Sequence, residues 1–392
     1  MPFAVYMLGL AVFAQGTSEF MLSGLIPGIA GDLHVSIAAA GLLTSAFAIG
    51  MVIGAPLMAL LSRRWPQRRA LVIFLCVFAA VHVIGALTPS YGVLLATRVV
   101  GALANAGFWA VALAAAVGMV DPNARARATS VVVGGVTIAC VAGVPAGALL
   151  GEQWGWRSAF WAVAAVSVPA IIAIARTIPE GRPRSTGTSA RGELRVLTSR
   201  ELLLTLLMST LVQGATFCTF TYLALLVTNV TGFGPGWVPA VLALFGLGSF
   251  AGVTVGGRLI DARPVTLMMA GMASLAVGWT VLALTAGNPV AAIMLVFIQG
   301  MLSFGTGPAL ISRVLHLAAD APTLAGGSAT AAFNVGATIG PWFGGLAIGA
   351  GFGFRSPVWV SALLMVLALA AAGVVPVVRR ASARGREEIP AA

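Results

Sequence analysis

The chain contains no lysine, and only 8% of its 392 residues are charged. A soluble protein must keep its surface wet, so this scarcity of charge beside 59% hydrophobic residues excludes one. Acids are scarcer still: 11 Asp and Glu stand against 22 basic residues, all arginine, for a net charge of +11. Such a surplus would suit a nucleic-acid partner. Here the arginines fall in short clusters between apolar runs, as topology signals do, so no nucleic acid is expected. The three cysteines, Cys76, Cys140 and Cys218, lie inside apolar runs with no CxxC or metal spacing. They read as small core residues of a disulfide-free protein. No HExxH, no P-loop and no paired acids or Ser/Lys constellation lie within the apolar runs. Nothing therefore points to an enzyme, an ATPase, a metal or a cofactor. The N-terminus has no basic n-region, and its apolar run is too long for a cleaved signal peptide, so it reads as the first span.

What the chain has is apolar length. A span needs about 20 residues. Twelve segments fit, at 4–26, 38–61, 70–88, 92–118, 129–150, 159–177, 202–226, 237–257, 265–285, 290–314, 324–348 and 356–378. The expected class is an all-α polytopic membrane protein in a lipid bilayer, with twelve transmembrane helices in two six-helix bundles. Nineteen of the 22 arginines fall in one set of loops and at the C-terminal end. Only Arg157 and Arg355 lie on the other side, and Arg98 is inside a span. The positive-inside rule then puts both termini in the cytoplasm. Residues 178–200 are the only long polar stretch, rich in Gly, Pro, Ser and Arg, and read as a cytoplasmic linker. The expected organisation is a bundle at 1–177, the linker, a bundle at 201–380 and a tail at 381–392.

The two halves match at a constant offset of 198 residues. Gln15-Gly16 corresponds to Gln213-Gly214, Gly50 and Gly54 to Gly248 and Gly252, and Gly147 and Gly151 to Gly345 and Gly349. Gly155-Trp-Arg-Ser corresponds to Gly353-Phe-Arg-Ser. A parallel repeat of this kind is the pattern of transporters whose substrate site lies between the repeats near the midplane.

Glu19 is the one acid inside any span. A carboxylate at that depth costs roughly 2.5–3.5 kcal/mol on insertion scales unless it faces protein or water, which marks it for proton or cation handling. Arg98 needs a partner for the same reason. Glu19 lies about 6 Å past the middle of span one, and Arg98 about 10 Å from the middle of span four on the same side. The two are expected to approach directly or through water, as a coupling pair or, more plainly, as a structural ion pair. Helical spacing groups Gln15, Ser18 and Glu19; Arg98, Asn105 and Trp109; Gln213 and Thr216; and Gln299, Ser303 and Thr306. Interhelical hydrogen bonding is the plainer reading of these stripes. His82 reads as a polar core residue. Asp32 and His34 read as solvated. Trp154, Trp156, Trp237 and Trp359 are expected at the interface.

Two motifs carry a family resemblance. Span five holds Ala142-Gly143-Val-Pro145-Ala-Gly147-Ala-Leu-Leu-Gly151, similar to the antiporter motif of the major facilitator superfamily. Span four holds Leu94-Leu-Ala-Thr-Arg98-Val-Val-Gly101-Ala-Leu-Ala-Asn105, similar to that superfamily's intramembrane arginine motif. With the opening Gln15-Gly-Thr-Ser-Glu-Phe-Met-Leu-Ser-Gly, the whole chain resembles the twelve-span drug–proton antiporters of the arabinose-efflux-like branch. The resemblance implies export of chloramphenicol in exchange for protons by alternating access, with Glu19 and Arg98 in proton coupling. Spans one, four, seven and ten would line the cavity, bringing Gln15, Asn105, Trp109, Gln213, Phe217, Gln299 and Ser303 to the drug. Gly143, Pro145, Gly147 and Gly151 would serve conformational switching, helped by an inner latch of Asp261 with Arg263 or Arg313. The corresponding loop after span two has Ser62 where the family has an aspartate. A monomer is expected. The alternative within the same fold is an exporter of a sugar or other metabolite.

Overall fold

The computed structural model describes residues 2–62, 65–179, 199–260, 264–318 and 322–387. Among the described residues the regular structure is helical throughout, as a bilayer demands when every backbone group must be satisfied within its own segment. Helices α1 (Phe3–Phe20) and α2 (Leu22–Asp32) form one span with a 52° bend. Then come α3 (Ile37–Ser62), α4 (Gln67–Leu87) and α5 (Tyr91–Gly118). Helix α6 (Arg125–Ile138) passes through a π-helical turn, Ala139–Gly143, into α7 (Val144–Trp154). Helix α8 (Arg157–Thr177) ends the first half. The second half holds α9 (Arg200–Thr221), α10 (Leu223–Asn229), α11 (Val238–Ile260), α12 (Pro264–Thr285), α13 (Pro289–Leu317), α14 (Pro322–Gly349) and α15 (Ser356–Glu387).

Among the described residues, ten helices are long and apolar enough to cross a membrane, or eleven spans with the bent first pair. Helix α14 has the length of a twelfth and packs along α3 and α9. Two apolar cores follow the two halves. The first centres on Phe47, Phe78, Phe108 and Phe160, the second on Phe217, Trp279 and Met365. The second also takes in Phe20, Cys140, Val144 and Ala148 from the first half, so the seam between the bundles is itself packed.

The repeat offset reappears as contact geometry. Gly50 and Gly54 of α3 face Val99 and Leu103 of α5; Gly248 and Gly252 of α11 face Phe297 and Met301 of α13, each 198 residues on. The second pair is the tighter. A Cβ on Gly252 would stand 2.0 Å from the Met301 carbonyl oxygen.

Between the bundles, the described contacts lie on the half of the molecule away from the arginine-rich loops. Ser45 Oγ donates to Thr338 O at 2.7 Å. Gly41 and Gly345 both face the Tyr222 hydroxyl, and Gly246 lies against the backbone of Cys140.

Span one is fixed by small residues of span five. Gly143, Gly147 and Gly151 face Thr17, Met21 and Leu25 in turn, one stripe at four-residue spacing against another. Pro145 has no N–H to continue the helical ladder. The π-turn just before it closes instead through Val144 N to Ala139 O. Such turns absorb an extra residue inside a helix.

These contacts predict the effect of four variants on stability. Gly252→Ala lowers the thermal midpoint of the detergent-purified protein, at an overpacking cost of about 1–3 kcal/mol. Gly134→Ala, with nothing within 4 Å, leaves it unchanged or slightly higher. Gly143→Ala also lowers the midpoint, because its Cβ would stand 2.0 Å from Thr17 Oγ1; adding Thr17→Ala recovers part of the loss. Absence of any recovery would show that the Thr17 contact does not limit the approach of spans one and five.

Candidate functional site

The site begins with the break in span one. Pro27 lies inside α2, and Ser23 and Gly24 stand beside the bend. Proline and Gly/Ser pairs are the usual causes of such a kink. Ser23 Oγ turns back to Phe20 O at 2.9 Å. The last carbonyls of a helix lack partners within it, and Ser18 stands in the last turn of α1. Arg98, 2% exposed on α5, fills that gap. Its Nη2 donates to Ser18 O at 2.9 Å and its Nη1 to Ser18 Oγ at 2.8 Å. The guanidinium also lies over the Phe47 ring, 4.4 Å from its centroid, a cation–π contact worth about 2 kcal/mol when desolvated. Arg98 Nε has no partner among the described residues.

Of the two expected approaches of Glu19 to Arg98, direct or through water, the direct one is not made; Arg98 bonds the residue beside it. Glu19 is half-buried and forms no hydrogen bond or ion pair with any described residue. It stays within electrostatic reach of Arg98 and near Cys140 in the π-turn of span five. His82 is buried, as expected of a core residue, but it is tied to the same cluster. Its Nε2 lies 2.6 Å from Ser18 Oγ and its Nδ1 2.6 Å from Phe78 O.

The polar candidates divide by surroundings. Gln15 and Asn105 are fully buried. Neither amide atom of Gln15 has a partner among the described residues, nor do Asn105 Oδ1 and Ser303 Oγ. Asn105 Nδ2 reaches only Met51 Sδ at 3.4 Å. Trp109 and Gln213 are partly exposed. Gln299 turns toward α12, where its amide fills the space beside Gly278 and donates to Leu275 O at 3.3 Å. That slot exists because Gly278 lacks a Cβ.

Phe217 belongs to an arc of rings that the sequence reading mostly missed. Phe20 and Phe217 lie 5.6 Å apart across the seam. Phe220, Phe245 and Phe304 continue the arc at 6.1, 4.7 and 6.3 Å. The available signal was the repeat itself: Phe217 stands 198 residues from Glu19, beside which lies Phe20.

Other expectations meet mixed outcomes. Asp261 and Arg263 of the inner latch lie outside the described residues. Arg313 pairs with Glu201 at the start of α9. Asp32, expected to be solvated, pairs with Arg157, which also donates to Thr88 O at 3.1 Å and so clasps the loops of three spans. The Arg157 hydrogen bond, then that of Trp156, holds the Asp32 carboxyl below the usual carboxylate range. Trp156 is not an interfacial indole: it is 3% exposed, packed edge-on to Phe160, with its N–H on Asp32. Trp154, Trp237 and Trp359 are exposed, and so is Cys76, which was expected in the core.

The chain is 51% identical over 372 residues to the chloramphenicol resistance protein of Streptomyces lividans, covering 94% of this chain and 95% of that one. It is 33% identical to the inner membrane transport protein YdhP of Escherichia coli strain K12, covering 92% and 93% of the two chains. Among solved structures, a bacterial homolog of the human lysosomal transporter Spinster, inward-facing and occupied, superposes with a TM-score of 0.75 at 17% identity over 96% of each chain. A mutant of the nucleoside transporter NupG does so with a TM-score of 0.77 at 11% identity, over 95% of this chain and 98% of that one. These two share the fold. Residues 8–327 match the family model of the Major Facilitator Superfamily, and with these relatives the chain belongs to that family of membrane transporters, not to an enzyme family.

Proposed function

We propose that the chain exports chloramphenicol across the cell membrane in exchange for protons, working as a monomer by alternating access. The observation that carries the proposal is Glu19: among the described residues the one acid away from the ends of a span, half-buried, beside the seam between the bundles, near Arg98 but not paired with it. A carboxylate so placed can take up and lose a proton as its surroundings change. The substrate rests on the relative of 51% identity that is named for chloramphenicol resistance. The chemistry of the site supports it. The aromatic arc suits the ring of a neutral aromatic amphiphile. The unpartnered polar atoms of Gln15, Asn105 and Ser303 suit its hydroxyl and amide groups, because a buried polar atom without a partner costs about 1–3 kcal/mol.

In the proposed cycle, the arginine-rich end faces the cytoplasm, as the positive-inside rule directs. Drug binding from that side disfavours the proton on Glu19. The bundles then rock about the seam, and a proton from outside displaces the drug. Gly143, Pro145, Gly147 and Gly151 let spans one and five slide while staying in contact. Asp261 and Arg263 serve the inner latch.

The test is the accumulation of labelled chloramphenicol in cells with and without the chain. The expected outcome is lower accumulation with it, reversed by a protonophore. Glu19→Gln should reach the membrane at wild-type levels and lose protonophore-sensitive export. Full export by Glu19→Gln would remove that residue from proton coupling. Unchanged accumulation in cells carrying the wild type would remove chloramphenicol as the substrate.

A further inference from the structure

We propose that His82 is a positioning residue for proton coupling, holding the Ser18 hydroxyl so that Arg98 stays on Ser18 and off Glu19. The inference rests on the reading above that Glu19 carries the proton.

The hydrogen-bond inventory at Ser18 leads to it. Phe78 O can only accept, so the 2.6 Å contact to His82 Nδ1 puts the ring proton on Nδ1. In the neutral ring Nε2 is then an acceptor, and at 2.6 Å from it the Ser18 hydroxyl is the donor. With its single proton committed to His82, Ser18 Oγ presents a lone pair to Arg98 Nη1 at 2.8 Å. The three residues form one directional chain, Arg98 to Ser18 to His82 to Phe78 O, with each proton assigned once.

A second proton on His82 breaks that order. Nε2 becomes a donor, Ser18 Oγ faces two donors, and two cations share one hydroxyl. The surroundings offer nothing to offset this. Among the described residues the charged group facing the ring is Arg98 of α5; Glu19 of α1, one residue past Ser18, lies near Arg98 and Cys140. Helix α8 presents the Phe160 ring at 5.7 Å, and α4 itself the Phe78 ring at 4.3 Å. The imidazole is thereby kept as a fixed acceptor, and the two tilted ring contacts hold its plane.

Glu19 is the competing acceptor for the same guanidinium. It is one residue from Ser18, within electrostatic reach, and only partly buried where Ser18 is fully buried. When the Ser18 hydroxyl loses its anchor, it is free to bond a carbonyl of its own helix, as serine commonly does. Arg98 is then held by Ser18 O alone and drifts toward the carboxylate. A cation drawn toward a carboxylate favours the ionised form.

The test is the pH profile of chloramphenicol export in inside-out membrane vesicles, with Ser18→Ala, His82→Phe, the double variant and Ser18→Thr. Ser18→Ala and His82→Phe are expected to move the half-maximal pH downward by about one unit, the lower end of what a neighbouring opposite charge does. The double variant should move it no further, since both changes cut one chain of bonds. Ser18→Thr, which keeps a hydroxyl, should restore the wild-type midpoint. Profiles that keep the wild-type midpoint at a reduced rate would overturn the proposal and leave His82 a packing residue. Should His82→Phe fail to reach the membrane, Ser18→Ala decides alone, since it removes only one oxygen. Wild-type export indifferent to the proton gradient would instead overturn the coupling reading itself.

Discussion

A guanidinium sealed between helices must have acceptors, and the requirement of Arg98 organises this molecule. Breaking a buried charge's pairing costs about 3–5 kcal/mol, more than most single contacts in a bundle can offset. Arg98 meets the need with a hydroxyl and a main-chain carbonyl of one residue, Ser18. The carbonyl is available because α1 ends there, and α1 ends there because Ser23, Gly24 and Pro27 follow. The 52° bend, the roll of span one about its axis and the direction in which Glu19 points are thus linked. Each residue along a helix turns about 100°. Bonding Ser18 to Arg98 therefore turns Glu19 away from it, toward the seam and Cys140.

The opposite side of the same span is held as closely. Thr17, Met21 and Leu25 fit the three glycines of span five, while Phe20 crosses to Phe217 in the other half. Span one thus touches the buried arginine, the glycine stripe and the partner bundle within nine residues, Thr17 to Leu25. In the proposed cycle this is what gives protonation a mechanical outlet. A change at Glu19 is felt beside the π-turn, and the π-turn lies against Gly246 of the other bundle.

The sequence made the architecture readable because apolar length and arginine spacing survive any detail of packing. Eleven of the expected spans satisfy length and apolarity, and the 198-residue offset returns as matching glycine contacts. Finer features were not legible, for reasons that differ by residue. Depth arithmetic brought Glu19 and Arg98 to one level but carried no information on roll, so it did not show that Arg98 bonds Ser18, one position away. A polar stripe shows which residues share a face, not what that face meets. Gln299 shares its stripe with Ser303, yet its amide enters a slot left by Gly278 on another helix. The interfacial preference of tryptophan yielded at Trp156 to a specific acceptor, Asp32, and a ring, Phe160. The π-turn follows a hydrogen-bond pattern that hydropathy does not record, although Pro145 pointed to the place.

The central claim is that drug and proton compete through Glu19. The direct measurement is proton release from the purified chain in weakly buffered detergent when chloramphenicol is added, followed with a pH indicator dye. The account predicts release from the wild type that saturates with drug binding, and none from Glu19→Gln although it still binds the drug. Drug binding by the wild type without proton release, or equal release from Glu19→Gln, would contradict it.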